Sequence, residues 1–372
     1  MGSKKLVSSH TSYNDAVQLT VAREVLTNIV RSRYSDPMQF MAVSAINAQF
    51  SVSMGASAGA GGIGQAGAAG DLGASIGYSD SPTITYTPLS DAGFYKSFFG
   101  SFEVGEVVGF GLAYRFARTD PGWQTLKLWF SFASINDAND FEAGRANPLY
   151  KQRVDAFVHI LGAGGTLRQI PEWDFDTTTI AKDKVTAEDM VRAFAMGMNF
   201  VEEDDGENLR LARYRLVLAL VVPGLDDPQV AAALEDLGVT PGRSQYVLRP
   251  PAHSSPGESD SSSIWVTPRS MADAVGLATR FVEVPAEHEG IVSSLEPLPW
   301  ASPAMSSIRI RSSKDRPPFP YHIQHRGYWF YIDDTEINSK VFFDAMVAAY
   351  SSRVGSKSAQ EEGPPVVLAV GG

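Results

Sequence analysis

The chain contains no cysteine. Disulfides, thiolate catalysis and cysteine metal sites are therefore excluded, and the redox state of its compartment leaves no mark on it. It has no run of about 18 apolar residues, so no transmembrane helix is expected. Met1 to His10 carries Lys4 and Lys5 with no apolar stretch behind them, and no secretory signal is legible there. Taken literally, that places the protein in the cytoplasm. An envelope location needs a signal or lipid anchor that this stretch does not carry. An excess of basic residues is missing too: the net charge of −11 argues against a general nucleic-acid binder, which needs a basic face to neutralise phosphates. The most informative absence is local. No lysine or arginine stands between Arg33 and Lys96.

What fills that stretch alternates. From Ile46 the even positions read Ile46, Ala48, Phe50, Val52, Met54, Ala56 and Ala58, and the odd ones Asn47, Gln49, Ser51, Ser53, Gly55 and Ser57. A Gly/Ala-rich run follows from Gly59 to Gly70. The alternation then resumes, with Leu72, Ala74, Ile76 and Tyr78 against Gly73, Ser75, Gly77 and Ser79. A period of two over this length predicts extended strands with one apolar and one polar face. Asp71, beside the expected turn, is the only charge from Ile46 to Ser79.

Strands cross a bilayer only in closed barrels, and a spanning strand takes about 9–11 residues. One hairpin cannot close a barrel, so this reading requires a homo-oligomer. Phe50, Val52, Met54, Leu72, Ile76 and Tyr78 would form the membrane face, and Asn47, Gln49, Ser51 and Ser53 the lumen. The competing readings are a soluble hairpin laid on a core and a Gly/Ala-rich linker.

At 372 residues, 44% hydrophobic and 20% charged, the rest reads as ordinary folded protein. Residues 14–34 place Val17, Val21, Val25, Leu26, Ile29 and Val30 at helical spacing behind Asn14 as N-cap. Further helices are predicted near 91–99 and 104–116, and over 148–162, 187–200, 228–237, 269–281 and 339–350. Strands are predicted over 126–135, 209–222, 264–267, 307–312, 322–332 and 365–370. The fold class is α+β: short helices and antiparallel strands in two or three small modules, plus the long hairpin. The expected divisions are a helical region at 1–45, the hairpin at 46–86, α+β modules at 87–249, a Pro/Ser loop at 250–263 and a C-terminal module at 264–372.

Chemistry-bearing patterns are weak. Gly59 to Gly64 lacks the Gly-Lys-Ser/Thr ending of a phosphate loop. His322 and His325, three apart on a strand, face opposite sides, and with Asp333 and Asp334 nearby the default is a solvated turn. Glu287-His288-Glu289 also reads as an exposed turn. Glu202 to Glu207 lacks the ligand spacing of a calcium loop. No serine sits in a nucleophile elbow. No enzyme, cofactor or metal site is therefore expected. Alternation along Tyr328–Ile332 presents Trp329 and Tyr331 on the face opposite Phe330, which nominates them for an interface.

Several segments together resemble a family of uncharacterised bacterial envelope proteins, often lipoprotein-like. They are Asn28-Ile-Val-Arg-Ser-Arg-Tyr-Ser-Asp-Pro37, Ser81-Pro-Thr-Ile-Thr-Tyr-Thr-Pro-Leu89, Thr267-Pro-Arg-Ser270, Val284-Pro285 with His288, and Arg326-Gly-Tyr-Trp-Phe-Tyr-Ile-Asp-Asp334 followed by Ser339-Lys340. The resemblance spreads over nearly the whole chain. It implies the periplasm or outer membrane and supplies no catalytic residue. The expectation is a non-enzymatic envelope component that homo-oligomerises into a ring or pore, sharing a barrel built from the hairpin. The alternative is a soluble or membrane-anchored scaffold that binds other envelope proteins.

Overall fold

The computed structural model describes residues 2–47, 50–58, 72–80, 83–89, 91–106, 121–142, 145–203, 206–224, 226–251, 261–295, 298 and 303–358. It opens with helix α1 (Gly2–Arg33), followed by β1 (Met41–Asn47), β2 (Phe50–Ala58), β3 (Leu72–Asp80), β4 (Thr83–Pro88) and α2 (Ala92–Phe99). Next come α3 (Pro121–Ser131), β5 (Phe132–Ile135), β6 (Ala138–Asn139), β7 (Phe141–Glu142), β8 (Arg145–Ala146) and α4 (Pro148–Gly162). The middle holds β9 (Thr166–Ala181), α5 (Ala187–Ala195), β10 (Met198–Glu202), β11 (Asn208–Val221), α6 (Pro228–Leu237) and β12 (Gln245–Arg249). The chain continues through β13 (Ser263–Pro268), α7 (Met271–Ala278), α8 (Pro303–Ser306), β14 (Arg311–Ser313), β15 (His322–His325), β16 (Tyr328–Tyr331) and α9 (Ile337–Ser358). The fold is α+β.

The main sheet runs β10-β11-β12-β13-β5-β6, with β9 on the other side of β11. All its pairings are antiparallel except β12 with β13, which are parallel across the 250–263 segment. A smaller sheet, β14-β16-β15, lies toward the C-terminus. One apolar core joins α1, α2, α3, α4, α6, α7 and α9 to both sheets, from Ala22 to Tyr350. Core and sheet thus both continue across the expected division at 250–263.

α1 shows why these residues fold as they do. Val25 and Ile29, with Ala22, Leu26 and Val30 beside them, recur at i, i+4 and are all buried. That stripe packs on α7, β15 and α9. Inside the core, Arg269 and Asp140 form an ion pair at 2.7 Å with side chains only 6% and 10% exposed. Arg269 Nε also donates to the Trp129 carbonyl at 2.7 Å, tying α3 to the strand β13.

The structure corrects some sequence expectations. Residues 126–135 are not one strand: α3 ends at Ser131 and only Phe132–Ile135 is extended. Leu126, Leu128, Phe130 and Phe132 recur with a period of two that imitates a strand, whereas Pro121 at the helix start favours the helix. The helix expected over 187–200 stops at Ala195, because Gly197 takes a left-handed φ of 69° and turns the chain into β10. Helices α1 and α9 are longer than their apolar spacing indicates. Of the helix expected near 104–116, residues 104–106 are helical and 107–116 lie outside the described residues, as do the Gly59–Gly70 tip and the 365–370 strand.

Candidate functional site

The hairpin forms a β-ribbon with a defined register. β2 pairs with β3 antiparallel, setting Val52 against Tyr78, Met54 against Ile76, Ala56 against Ala74 and Ala58 against Leu72. The alternate pairs are Ser51 with Ser79, Ser53 with Gly77 and Ser57 with Gly73. Cross-strand partners share a face, so from Val52 to Ala58 this register sets apolar against apolar and small polar or glycine against the same, whereas at the base Phe50 stands opposite the charged Asp80. β1 and β4 extend the ribbon, with Ile46 opposite Ile84 and Asn47 opposite Thr83. Gln49 lies outside the described residues. β2 is 9 residues long, or about 30 Å at the usual rise. That approximates the thickness of a bilayer's hydrocarbon core, about 30 Å. Neither β2–β3 nor β1–β4 has a third strand among the described residues. No closed barrel exists within the described chain, and two long strand edges are left without a ladder partner.

The root of the ribbon is heavily fastened. Asn28 on α1 is 1% exposed, and its side chain mimics a strand neighbour. Its Nδ2 donates to the Gln39 carbonyl at 2.7 Å and its Oδ1 accepts from Gln39 N–H at 2.9 Å. One turn earlier on α1, Glu24 accepts from Met41 N–H at 2.8 Å and from the Tyr350 hydroxyl at 2.6 Å. Burial raises the Glu24 carboxyl above its usual range, against the lowering effect of those two donors. Burial and the neighbouring Glu24 push the Tyr350 hydroxyl strongly upward. Between these bonds Phe40 sits at 4.8 Å from the Phe94 ring and 4.6 Å from the Phe98 ring of α2. The Phe40 carbonyl accepts from Leu89 N–H at 3.0 Å and closes the base.

A second cluster fixes the entry segment. The Tyr34 hydroxyl is hydrogen-bonded to His288 Nδ1 at 2.7 Å. Asp36 accepts from Arg326 at 2.8, 3.1 and 3.3 Å and lies 3.0 Å from His325 Nε2. Hydrogen bonding from Arg326 holds the Asp36 carboxyl below its ordinary range. Burial depresses His325 despite Asp36 beside it. Arg326 and Gly327 form the β15–β16 turn with φ of 48° and 85°. Two successive positive φ values suit a tight hairpin turn, and they cost a non-glycine residue about 1–2 kcal/mol. The Asp36 contacts offset that cost at Arg326. Segments remote in sequence, at 34–36, 288 and 325–326, therefore converge where the chain enters the ribbon.

The remaining nominated residues fall elsewhere. Trp329 and Tyr331 are half-buried. His322 meets the Trp329 ring edge-on at 5.3 Å, Arg316 lies 5.6 Å over it, and Phe319 stacks on Tyr331 at 5.6 Å. The face reserved for a partner is thus covered in part by the chain itself. His322 is buried, not part of a solvated turn. In the acidic cluster, Glu202 pairs with Lys182 at 2.9 Å and Glu203 with Arg210 at 3.3 Å. No group of three metal-ligating side chains occurs among the described residues. No described helix is long and apolar enough to cross a membrane. An open groove of about 690 Å³ between α4 and α6 is lined by Lys151, Asp155, His159 and Asp236. Three of those groups are already engaged, Lys151 with Asp155 and Asp236 with Gln152.

The root could not be read from sequence, because its bonds join residues that carry no motif. Asn28 and Glu24 look like ordinary polar positions on a helix. In comparisons with known proteins, no family model, no curated protein and no solved structure matches this chain.

Proposed function

We propose that this protein is a non-enzymatic component of a bacterial envelope that assembles from identical copies and contributes the 46–86 ribbon to a shared β-barrel. The observation that carries the reading is the ribbon itself: like-with-like register from Val52 to Ala58, about one bilayer long, with neither edge paired to a third strand among the described residues. A two-stranded ribbon is marginal alone in water, and open edges invite pairing with another chain. Neighbouring copies would supply those partners. The rigid root supports the same reading, since a shared barrel needs every ribbon to leave its body at one angle. Asn47, Gln49, Ser51 and Ser53 would line a polar interior, and Phe50, Val52, Met54, Leu72, Ile76 and Tyr78 would face lipid. The resemblance to envelope proteins supports the compartment.

The test is dye release from liposomes together with negative-stain imaging. The wild-type chain should form rings with lipid or detergent and release the dye. Val52→Asp, which sets a charge on the lipid face where charged substitutions are destabilising, should abolish release. A monodisperse monomer both with and without lipid would overturn the reading.

A further inference from the structure

The β9–β11 pair runs out from the main sheet, and its far end carries α5 and β10. Leu209 and Ala212 of β11, with Ala193 of α5, are buried there but stand apart from the main core. That is a very small core for three strands and a helix. The helix is also turned inside out. Ala187, Met190, Val191 and Phe194 recur at i, i+3, i+4 and i+7, the spacing of a core-facing stripe, yet all stand exposed. Phe194 is 76% exposed, Val191 69%, Met196 62% and Met190 49%, while Ala193 alone on this helix is buried.

A second apolar surface lies on the arm between this end and the core. Trp173 is paired with Tyr214 and Pro171 with Leu216, so these side chains share a face of the ladder, and Phe175 follows Trp173 on that face by period two. Leu216 is 55% exposed, Tyr214 49%, Phe175 44% and Trp173 40%. Eight of the fifteen large apolar side chains exposed among the described residues therefore lie between 173 and 216. Scattered exposed apolar residues need no explanation, but concentration on one projecting element does.

We propose that α5 of one copy seats on the β9–β11 arm face of the next copy, head to tail, and that this is the contact that builds the assembly. The inference rests on the oligomeric reading given above and names its interface. A ring needs two different, mutually fitting surfaces on each subunit, whereas an isologous contact joins only two copies. The chain presents two such surfaces, a helical stripe and a strand face, and a helix laid on a sheet is a native packing layer. At about 100 Å² per half-exposed large side chain, each surface offers on the order of 400 Å² of apolar area. A standard interface takes about 800 Å² from each partner, a little over half of it apolar, so the area closes. Met and aromatic residues, which dominate both surfaces, are enriched in such interface cores. The charges on α5 are already used within it: Glu188 pairs with Arg192 at 2.7 Å, and Asp189 caps the helix through Thr186. The stripe thus asks for an apolar partner surface, which the arm of another copy provides.

The experiment is complementation between two charge variants of the full chain, Phe194→Glu and Leu216→Glu, read by mass photometry in buffer and in detergent. Both positions are exposed, and an unchanged circular dichroism spectrum and melting temperature will show that the fold is kept. Wild type should form higher oligomers and each variant alone should be monomeric. An equimolar mixture should give dimers and nothing larger, because one variant keeps an intact arm face and the other an intact α5. Oligomers that persist in either variant would overturn the proposal, and so would a mixture that stays monomeric or a wild type that is monomeric in both conditions. Dye release from liposomes separates this outcome from the barrel reading. If the mixture forms dimers but wild type releases no dye, the interface stands and the barrel falls. If both variants still release dye like wild type, the interface falls and the barrel stands.

Discussion

Replacing Asn28 with alanine isolates the fastening of the ribbon from the rest of the fold. The Asn28 amide makes a reciprocal pair of hydrogen bonds to Gln39, at 2.7 and 2.9 Å. Each such bond contributes about 0.5–1.5 kcal/mol net, so the pair is worth about 2 kcal/mol. Gln39 is itself exposed, and its freed N–H and carbonyl can turn to water, which spares the larger penalty for a group left dry. The substitution also removes little volume, and the flanking Leu26, Ile29 and Val30 stay packed in the core. The loss should therefore be local. Since about 1.4 kcal/mol is tenfold in an equilibrium, amides of the entry segment should exchange roughly 30-fold faster with deuterium. Hydrogen exchange with mass spectrometry on peptides covering 36–47 reads this directly. Peptides from α4 and β13 should be unchanged, and the global melting temperature should move by only a few degrees. Unaltered exchange over 36–47 would refute the reasoning, as would acceleration spread evenly over the chain.

Two further outcomes follow from buried and half-buried charges. Removing one member of the Arg269–Asp140 pair by Asp140→Ala should destabilise the protein by about 3–5 kcal/mol, because Arg269 would be left uncompensated with its side chain 6% exposed; denaturant unfolding measures this. The folded-state pKa of His325 lies below 6.5, so His325 contributes stability that is present above pH 6.5 and lost as pH falls through its folded value. Asp36, depressed below 3.8, carries the same sign in a more acidic window, and Glu24, raised above 4.5, carries the opposite sign. The urea midpoint should therefore decline on acidification from neutral pH, and His325→Gln should flatten the part of that decline below pH 6.5.

Elements with their own end signals were legible in the sequence. α4 begins after Asn147 with Pro148, and α6 begins after Asp227 with Pro228 and ends on Gly238 at a left-handed φ of 92°. These are local codes, so 148–162 and 228–237 are read to the residue. The alternation of the ribbon is equally local, and it sets which residues share a face. α3 failed for the opposite reason: Leu126, Leu128, Phe130 and Phe132 alternate like a strand, while the polar positions of the helical period, Gln124, Lys127 and Ser131, begin before the run read as a strand. The root and the Tyr34 cluster were illegible because their information lies in pairings. Asp36 and Arg326 stand 290 residues apart, and nothing in either residue type announces the other. The outward stripe of α5 is a third case. Its spacing predicts a helix correctly but says nothing about which way the stripe faces, and only the fold shows that it is exposed among the described residues.

The rigid and the unsatisfied parts of this molecule are arranged in a complementary way. Residues 24–41 are held from several sides, by Asn28, Tyr350, His288 and Arg326, so the segment that enters the ribbon is fixed to the body. The ribbon edges and the α5 stripe, by contrast, lack partners that the described chain supplies. Bacterial membrane barrels have at least about 8 strands, so two strands per copy require about four copies or more. An isologous contact cannot join that many, whereas a head-to-tail contact repeats around one axis and points every ribbon the same way. In a ring one rotation relates each copy to the next, so a contact between bodies also sets how neighbouring ribbons are placed. One contact on the body would then determine the register of the ribbons. The Phe194→Glu and Leu216→Glu variants should, on this argument, lose barrel formation although neither residue lies in the ribbon.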